Sequence, residues 1–362
     1  WTCPGAQKTC PEGTTCQGGV CKPSNKDAAL VDGKPGLDSK PAPDSKPAPD
    51  SSTPADSKPL VDSKPSQDKP TLTLPCSWSK ATAPAGVSSA ELKDVWGTSS
   101  TNVYAVGEAG NLLRYNGSGW IREAVPATYS NWPFSGVGGT SGKIFIIAGV
   151  NILERTGPGQ LSGVFTASGS SLLSVGAQST AGLLASATGG QVYAYHSGAW
   201  KQLNITPSFT GKIQSMWGDG GNKVLLGAQN TLYNLDTSTG PSGLTVSKSF
   251  TAATTPNLND IWSQAGHIFT VSATPAGKVY HLTSSSKWQT LDPGNTSALW
   301  GVWGSAVNQI WVAGAQGIWF FNGSNWTKAY TAPTGTSVKA IHGFGPKNVW
   351  AVGGGGTILR CK

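Results

Sequence analysis

The run Leu92-Lys-Asp-Val-Trp96-Gly97, followed by Asn102-Val-Tyr-Ala-Val-Gly107, Asn111-Leu-Leu-Arg-Tyr-Asn-Gly117 and Trp120-Ile-Arg-Glu123, is the clearest copy of a unit that repeats along most of the chain. The position of Trp96 recurs at Gly138, Gly176, Trp217, Trp262, Trp303 and His342, in steps of 42, 38, 41, 45, 41 and 39 residues. Each unit reads as four short runs of alternating apolar and polar residues, rich in Val, Ile, Trp and Tyr and separated by Gly, Asn and Ser turns. Four strands in about 40 to 45 residues is the size of one propeller blade. The fold expected is therefore all-β, a seven-bladed β-propeller.

The seventh unit supplies only three strands, Val338 to Gly343, Asn348 to Gly353 and Thr357 to Arg360, before the sequence stops at Lys362. The missing one lies at the other end. Ser77-Trp78-Ser-Lys80-Ala-Thr-Ala-Pro84 matches the fourth strand of unit six, Asn325-Trp326-Thr-Lys328-Ala-Tyr-Thr-Ala-Pro333. The N-terminal strand is expected to complete the last blade, so that no open edge separates the chain ends. The same alignment sets Cys361 at the place of Phe321 and Cys76 at that of Ser324, facing each other across a hairpin end. This predicts a Cys76–Cys361 disulfide.

Outward from the repeats, the sequence changes character. Residues 1 to 75 carry nine Lys and nine acids, whereas 76 to 362 carry 17 Lys plus Arg against nine acids, so the net charge of +8 belongs to the repeats. Cys3, Cys10, Cys16 and Cys21 stand as C-x6-C-x5-C-x4-C among Gly and Pro, with almost no apolar residue to build a core. Such a segment holds a shape only when cross-linked. Zinc is the competing reading, but there is no CxxC pair and no nearby His, so disulfides are favoured. Of three pairings, Cys3 with Cys16 and Cys10 with Cys21 is the one expected here. Disulfides imply an oxidising compartment, outside the cell or in a periplasm. From Asp32 to Asp68 an Asp recurs every six residues, usually in Asp-Ser-Lys-Pro. Too few large apolar side chains are present to offset the entropy of ordering, and an extended stalk follows. At about 3.1 Å per residue it would span on the order of 100 Å. The expected domains are thus a Cys-rich module at 1–25, a stalk at 26–75 and the propeller at 76–362. No apolar run approaches the ~18 residues of a membrane helix, and no leader-like stretch opens the chain, so a soluble, mature form is expected.

The phrases Asp94-Val-Trp-Gly97, Asn348-Val-Trp-Ala-Val-Gly353 and Tyr115-Asn-Gly-Ser-Gly-Trp120 resemble the repeat of bacterial secreted or surface propellers of the DVWAVG type. They are similar, more distantly, to tectonin-like propeller lectins. The likeness covers units one, six and seven well and units two to four loosely, where Gly138 and Gly176 replace the Trp. The cysteine cluster and proline-rich stalk resemble the front of bacterial surface proteins, many of them lipoproteins. For function this implies only surface location and binding, because unrelated roles share the fold.

The repeats hold few groupings that carry chemistry. Glycoside hydrolysis needs two carboxylates at a defined separation. Asp94 and Asp260 share one repeat position, but on blades that lie almost opposite in a seven-membered ring, so a structural hydrogen-bonding role is expected. A sialidase-like site would need clustered inner-strand arginines, whereas Arg114, Arg122, Arg155 and Arg360 all fall on third or fourth strands. His196, His267, His281 and His342 lack metal-ligand spacing. Of these four only His342 stands at the position of the recurrent Trp, and it is placed near the channel. The Asn-x-Ser/Thr sites at Asn116, Asn204, Asn295, Asn322 and Asn325 are read as turns. Dispersed lysines and export argue against nucleic acid. No metal or cofactor is implied.

Most aromatics mark strands: Trp96, Trp217, Trp262 and Trp303 the first, Tyr104, Phe269, Trp311 and Trp350 the second, and Trp78, Trp120, Trp200, Trp288 and Trp326 the start of the fourth. They are expected in the core. Trp132 and Trp300 do not fit these positions, and Tyr129 lies beside Trp132 in a blade connection. Exposed rings suit sugar stacking or a protein hot spot, so these three, with His342, are the candidate ligand-binding residues. The reading is a non-enzymatic extracellular or cell-surface binding protein whose ligand is a glycan or partner protein. A lipid or surface tether at the N-terminus is compatible with it. The alternatives are a self-assembling subunit of an extracellular filament or coat and, less favoured, a carbohydrate-active enzyme.

Overall fold

The structure, a computed structural model, describes the backbone of residues 14–17 and 20–23, and residues 73–362 apart from 88, 141, 210, 252–256, 274–276, 284–286 and 295–296. The chain divides into two units, Trp1–Gln67 and Asp68–Lys362. In the first, Thr14–Gln17 pairs antiparallel with Val20–Pro23, placing Cys16 opposite Cys21. The pairings expected among Cys3, Cys10, Cys16 and Cys21, and the hexad stretch, lie outside the described residues.

The second unit is a ring of seven sheets, each built from consecutive antiparallel strands. Blade one comprises Leu92–Ser99, Asn102–Gly107, Leu112–Tyr115 and Trp120–Arg122. Each later blade repeats this order. Their first strands are Gly136–Gly139, Leu172–Ser179, Ile213–Gly218, Leu258–Gln264, Leu299–Ala306 and Val338–Gly343. These strands neighbour one another in sequence order, and that of blade seven neighbours that of blade one, which closes the ring. Blade four carries an additional strand, Ile205–Thr206, parallel to Leu244–Thr251.

The expected closure is present. Trp78–Lys80 pairs with Thr357–Cys361 as the fourth strand of blade seven, with Trp78 opposite Cys361. Cys76 and Cys361 form a disulfide with a Cα–Cα separation of 5.4 Å. Equivalent positions also align as the repeat requires: Trp96 faces Tyr104, Gly138 faces Phe145, Trp262 faces Phe269, Trp303 faces Trp311 and His342 faces Trp350.

One expectation is corrected by the packing. The second strands do not alternate between apolar and polar; Val103 to Gly107 and Val349 to Gly353 are buried at every residue. A blade has a neighbour on each face, so both rows of side chains are interior. What alternates is the neighbour. Val103 and Ala105 join the cluster between blades seven and one, while Tyr104 and Val106 join that between blades one and two. The propeller therefore has seven hydrophobic clusters, one at each seam, in place of a single core.

Candidate functional site

Asp94 and Asp260 act at the seams. The Asp94 Oδ1 accepts the Val95 N–H at 2.8 Å and its Oδ2 accepts the Val137 N–H of blade two at 2.8 Å. Asp260 repeats the arrangement, accepting from Ile261 at 2.9 Å and from Val302 of blade six at 2.8 Å. At the same repeat position Ser215 donates to the Leu258 carbonyl of blade five at 2.8 Å. Burial pushes Asp94 up to about 6 and Asp260 up to about 7, against the pull of the amide donors; the Asp94 charge adds to the rise at Asp260. Desolvation disfavours the charged carboxylate more than the two amides favour it.

Two of the arginines are engaged within the propeller. Arg155 makes a bidentate pair with the buried Glu123 at 2.5 and 2.7 Å, and Arg360 lies 4.7 Å from the Trp350 ring centre and donates to the Tyr115 hydroxyl. Two histidines from separate strands of blade five come together, which their spacing does not reveal. His267 Nδ1 lies 2.9 Å from His281 Nε2, Gln289 Nε2 lies 2.9 Å from His281 Nδ1, and His281 stacks on Phe269 at 3.9 Å. Burial, with the charge of His267, lowers His281 to about 4. No cluster of three or more metal-ligating groups occurs among the described residues.

Of the expected ligand-binding residues, Tyr129 and Trp132 stack edge-to-face at 5.1 Å and pack, half-buried, against the cluster between blades one and two. The Tyr129 hydroxyl also accepts the Gly163 N–H. Trp300 is part of the first strand of blade six, at the repeat position of Lys93 and Lys339. Lys339 Nζ sits 3.8 Å over its ring and pairs with Glu91 at 3.0 Å. His342 is held edge-on to Phe344 at 5.1 Å, and burial lowers it to about 4. The structure thus brings Tyr129 and Trp132 together and places Trp300 and His342 on other blades.

A groove at the seam of blades four and five is the feature that sequence reasoning missed. It encloses about 870 Å³ and is lined by Trp217, Trp262 and Trp288, all read above as core markers. Trp262 is buried, but Trp217 and Trp288 are only half-buried. Trp288 is braced from behind by Phe250, stacked at 4.2 Å. One repeat position distinguishes this seam from the next two. A Cβ at Gly304 would fall 2.8 Å from the Trp262 indole, and one at Gly343 2.7 Å from that of Trp303, so in blades five to seven each Trp lies flush on the glycine of the next blade. Blade five has Ser263 at that position. Ser263 and Trp217 both line the groove. Ser249, the extra residue of a bulge opposite Leu232 and Tyr233, also lines the groove, as bulges redirect side chains. The signal available in the sequence was Trp262-Ser263 where the other Trp-bearing units read Trp-Gly.

The same ring of blades is found in solved structures of low identity. The structure of YCF48 bound to D1 peptide superposes with a TM-score of 0.63 at 16% identity, over 79% of this chain and 96% of that one. YCF48 from Cyanidioschyzon merolae gives 0.63 at 17%, over 79% and 98%. The WD40 propeller domain of Doa1 gives 0.63 at 12%, over 79% and 97%. No family model and no curated protein matches the chain. At these identities the likeness shows the fold, a seven-bladed β-propeller.

Proposed function

We propose that this chain is a non-enzymatic binding protein, extracellular or on the outer cell surface, that presents its propeller to a glycan or a partner protein. The observation that carries the reading is the groove between blades four and five, where aromatic rings are left partly uncovered on a rigid frame. Asp94 and Asp260 support it too, since both oxygens of each carboxylate already hold backbone amides. The Cys76–Cys361 bond suits an oxidising compartment, and the Cys-rich and hexad sequences suit a tether and spacer.

The test uses the full chain on a glycan array and, in parallel, in cross-linking to intact cells of its source. Saturable binding by the wild type, retained in Asp94→Asn and Asp260→Asn, is the expected result. Absence of saturable binding in both assays, or turnover of an oligosaccharide abolished by those substitutions, overturns it. Micrographs of native material showing ordered filaments would favour the structural alternative.

A further inference from the structure

We infer that the groove between blades four and five is a subsite for a neutral oligosaccharide, with Trp217 and Trp288 as stacking platforms and Asn234, Ser249 and Gln264 as hydroxyl partners. This rests on the binding reading above and names its site and ligand class. Each part follows from the lining. A pyranose ring presents a C–H face that covers an indole and a rim of hydroxyls that need donors and acceptors together. Trp217 and Trp288 are half-buried, so each is held by packing yet keeps apolar surface to offer. The Phe250 stack leaves Trp288 little freedom to lose when a ligand settles on it. The amides of Asn234 and Gln264 and the hydroxyl of Ser249 line the same space and have no hydrogen-bond partner among the described residues. Amides and hydroxyls both donate and accept, which is what sugar hydroxyls require.

Charge decides between ligand classes. The groove carries one acid, Asp219, and one base, Lys223, both exposed at its rim. They cancel, so no net field selects an anion. Three indoles could otherwise cage a quaternary ammonium group, but the groove has no acid free to favour a cation, since Lys223 offsets Asp219. The volume of about 870 Å³ lies in the range that accommodates drug-sized ligands, enough for a short oligosaccharide.

The experiment is isothermal titration of the full chain with a panel of neutral oligosaccharides, the β-1,4-linked glucose, N-acetylglucosamine and xylose hexamers and the α-1,4-linked glucose heptamer, at millimolar concentration. Binding of at least one panel member is expected, weakened about tenfold or more by Trp217→Ala and by Trp288→Ala. Gln264→Ala, on an exposed hairpin, should weaken it several-fold with no change in melting temperature, which guards against a folding artefact. Trp132→Ala and Trp300→Ala should leave it unchanged. Binding that survives both groove substitutions but is lost with Trp300→Ala or Trp132→Ala overturns the groove assignment while leaving the binding reading intact. Failure of every panel member to bind overturns the oligosaccharide proposal; cross-linking of the same preparation to a protein on intact cells would show that the broader reading survives it.

Discussion

The seams between blades six and seven and between blades four and five are built from the same repeat, yet one is sealed and the other open. At the first, eleven buried residues form a continuous cluster that includes Trp311, Phe320 and both members of the Cys76–Cys361 disulfide. Trp303 lies on Gly343 so closely that no side chain could stand there. At the second, the described residues supply only six buried members, and Trp217 and Trp288 stay at the margin. Ser263 stands where five of its six counterparts are glycine, the sixth being Ala177. A glycine on the next blade lets a large ring rest against its backbone, whereas a side chain there takes up room, because interiors tolerate little overlap. The repeat fixes the ring, and departures from it create the surface that can bind.

The strongest way to break the sealed seam is to cut its covalent closure. The Cys76→Ser/Cys361→Ser pair removes a crosslink across 285 residues and should cost about 5 kcal/mol of stability on the chain-entropy account, measured as a fall in denaturation midpoint relative to the oxidised wild type. Next comes Gly343→Ala. Its Cβ would meet Trp303 at 2.7 Å, and a loss of about 1–3 kcal/mol is expected. Ser263→Gly at the open seam should by contrast cost about 1 kcal/mol or less, the loss of the bond its hydroxyl donates to the His267 carbonyl. If the two substitutions cost alike, the comparison between seams is wrong.

A smaller effect follows from Asp260, whose clip joins blade five to blade six. Its folded-state pKa of about 7 lies above the unfolded value near 3.8, so the folded chain holds the extra proton between these values and loses that advantage as pH rises. Stability should therefore fall by about 1 kcal/mol between pH 6 and pH 8. His281 and His342, lowered to about 4, work in the opposite sense below about pH 6.5, where the unfolded chain takes up their protons. Thermal melts across this range should show the alkaline decline, and Asp260→Asn should flatten it. The smallest effect on stability is that of Gln264→Ala in the open groove, within about 0.5 kcal/mol, seen only as weaker ligand binding.

The architecture was legible because it rests on short-range periodicity. The spacing of Trp96 and its counterparts, and the match between Trp78 and Trp326, carried the blade number, the ring closure and the Cys76–Cys361 bond before any coordinates. A structural hydrogen-bonding role for Asp94 and Asp260 was readable from their shared position, but not that it joins blades, their second oxygen reaching an amide of the adjacent blade. Periodicity could not show which aromatics stay uncovered. Trp217 and Trp303 occupy the same repeat position and are both half-buried, yet Trp217 lines the groove with Ser263 while Trp303 rests on Gly343. The approach of His267 to His281 across two strands was equally invisible. The sequence by itself determined that seven like blades form and close into a ring, since each blade's pattern is local. Only the tertiary structure decided where the ring is imperfect, because that depends on pairs of side chains more than 40 residues apart meeting across a seam.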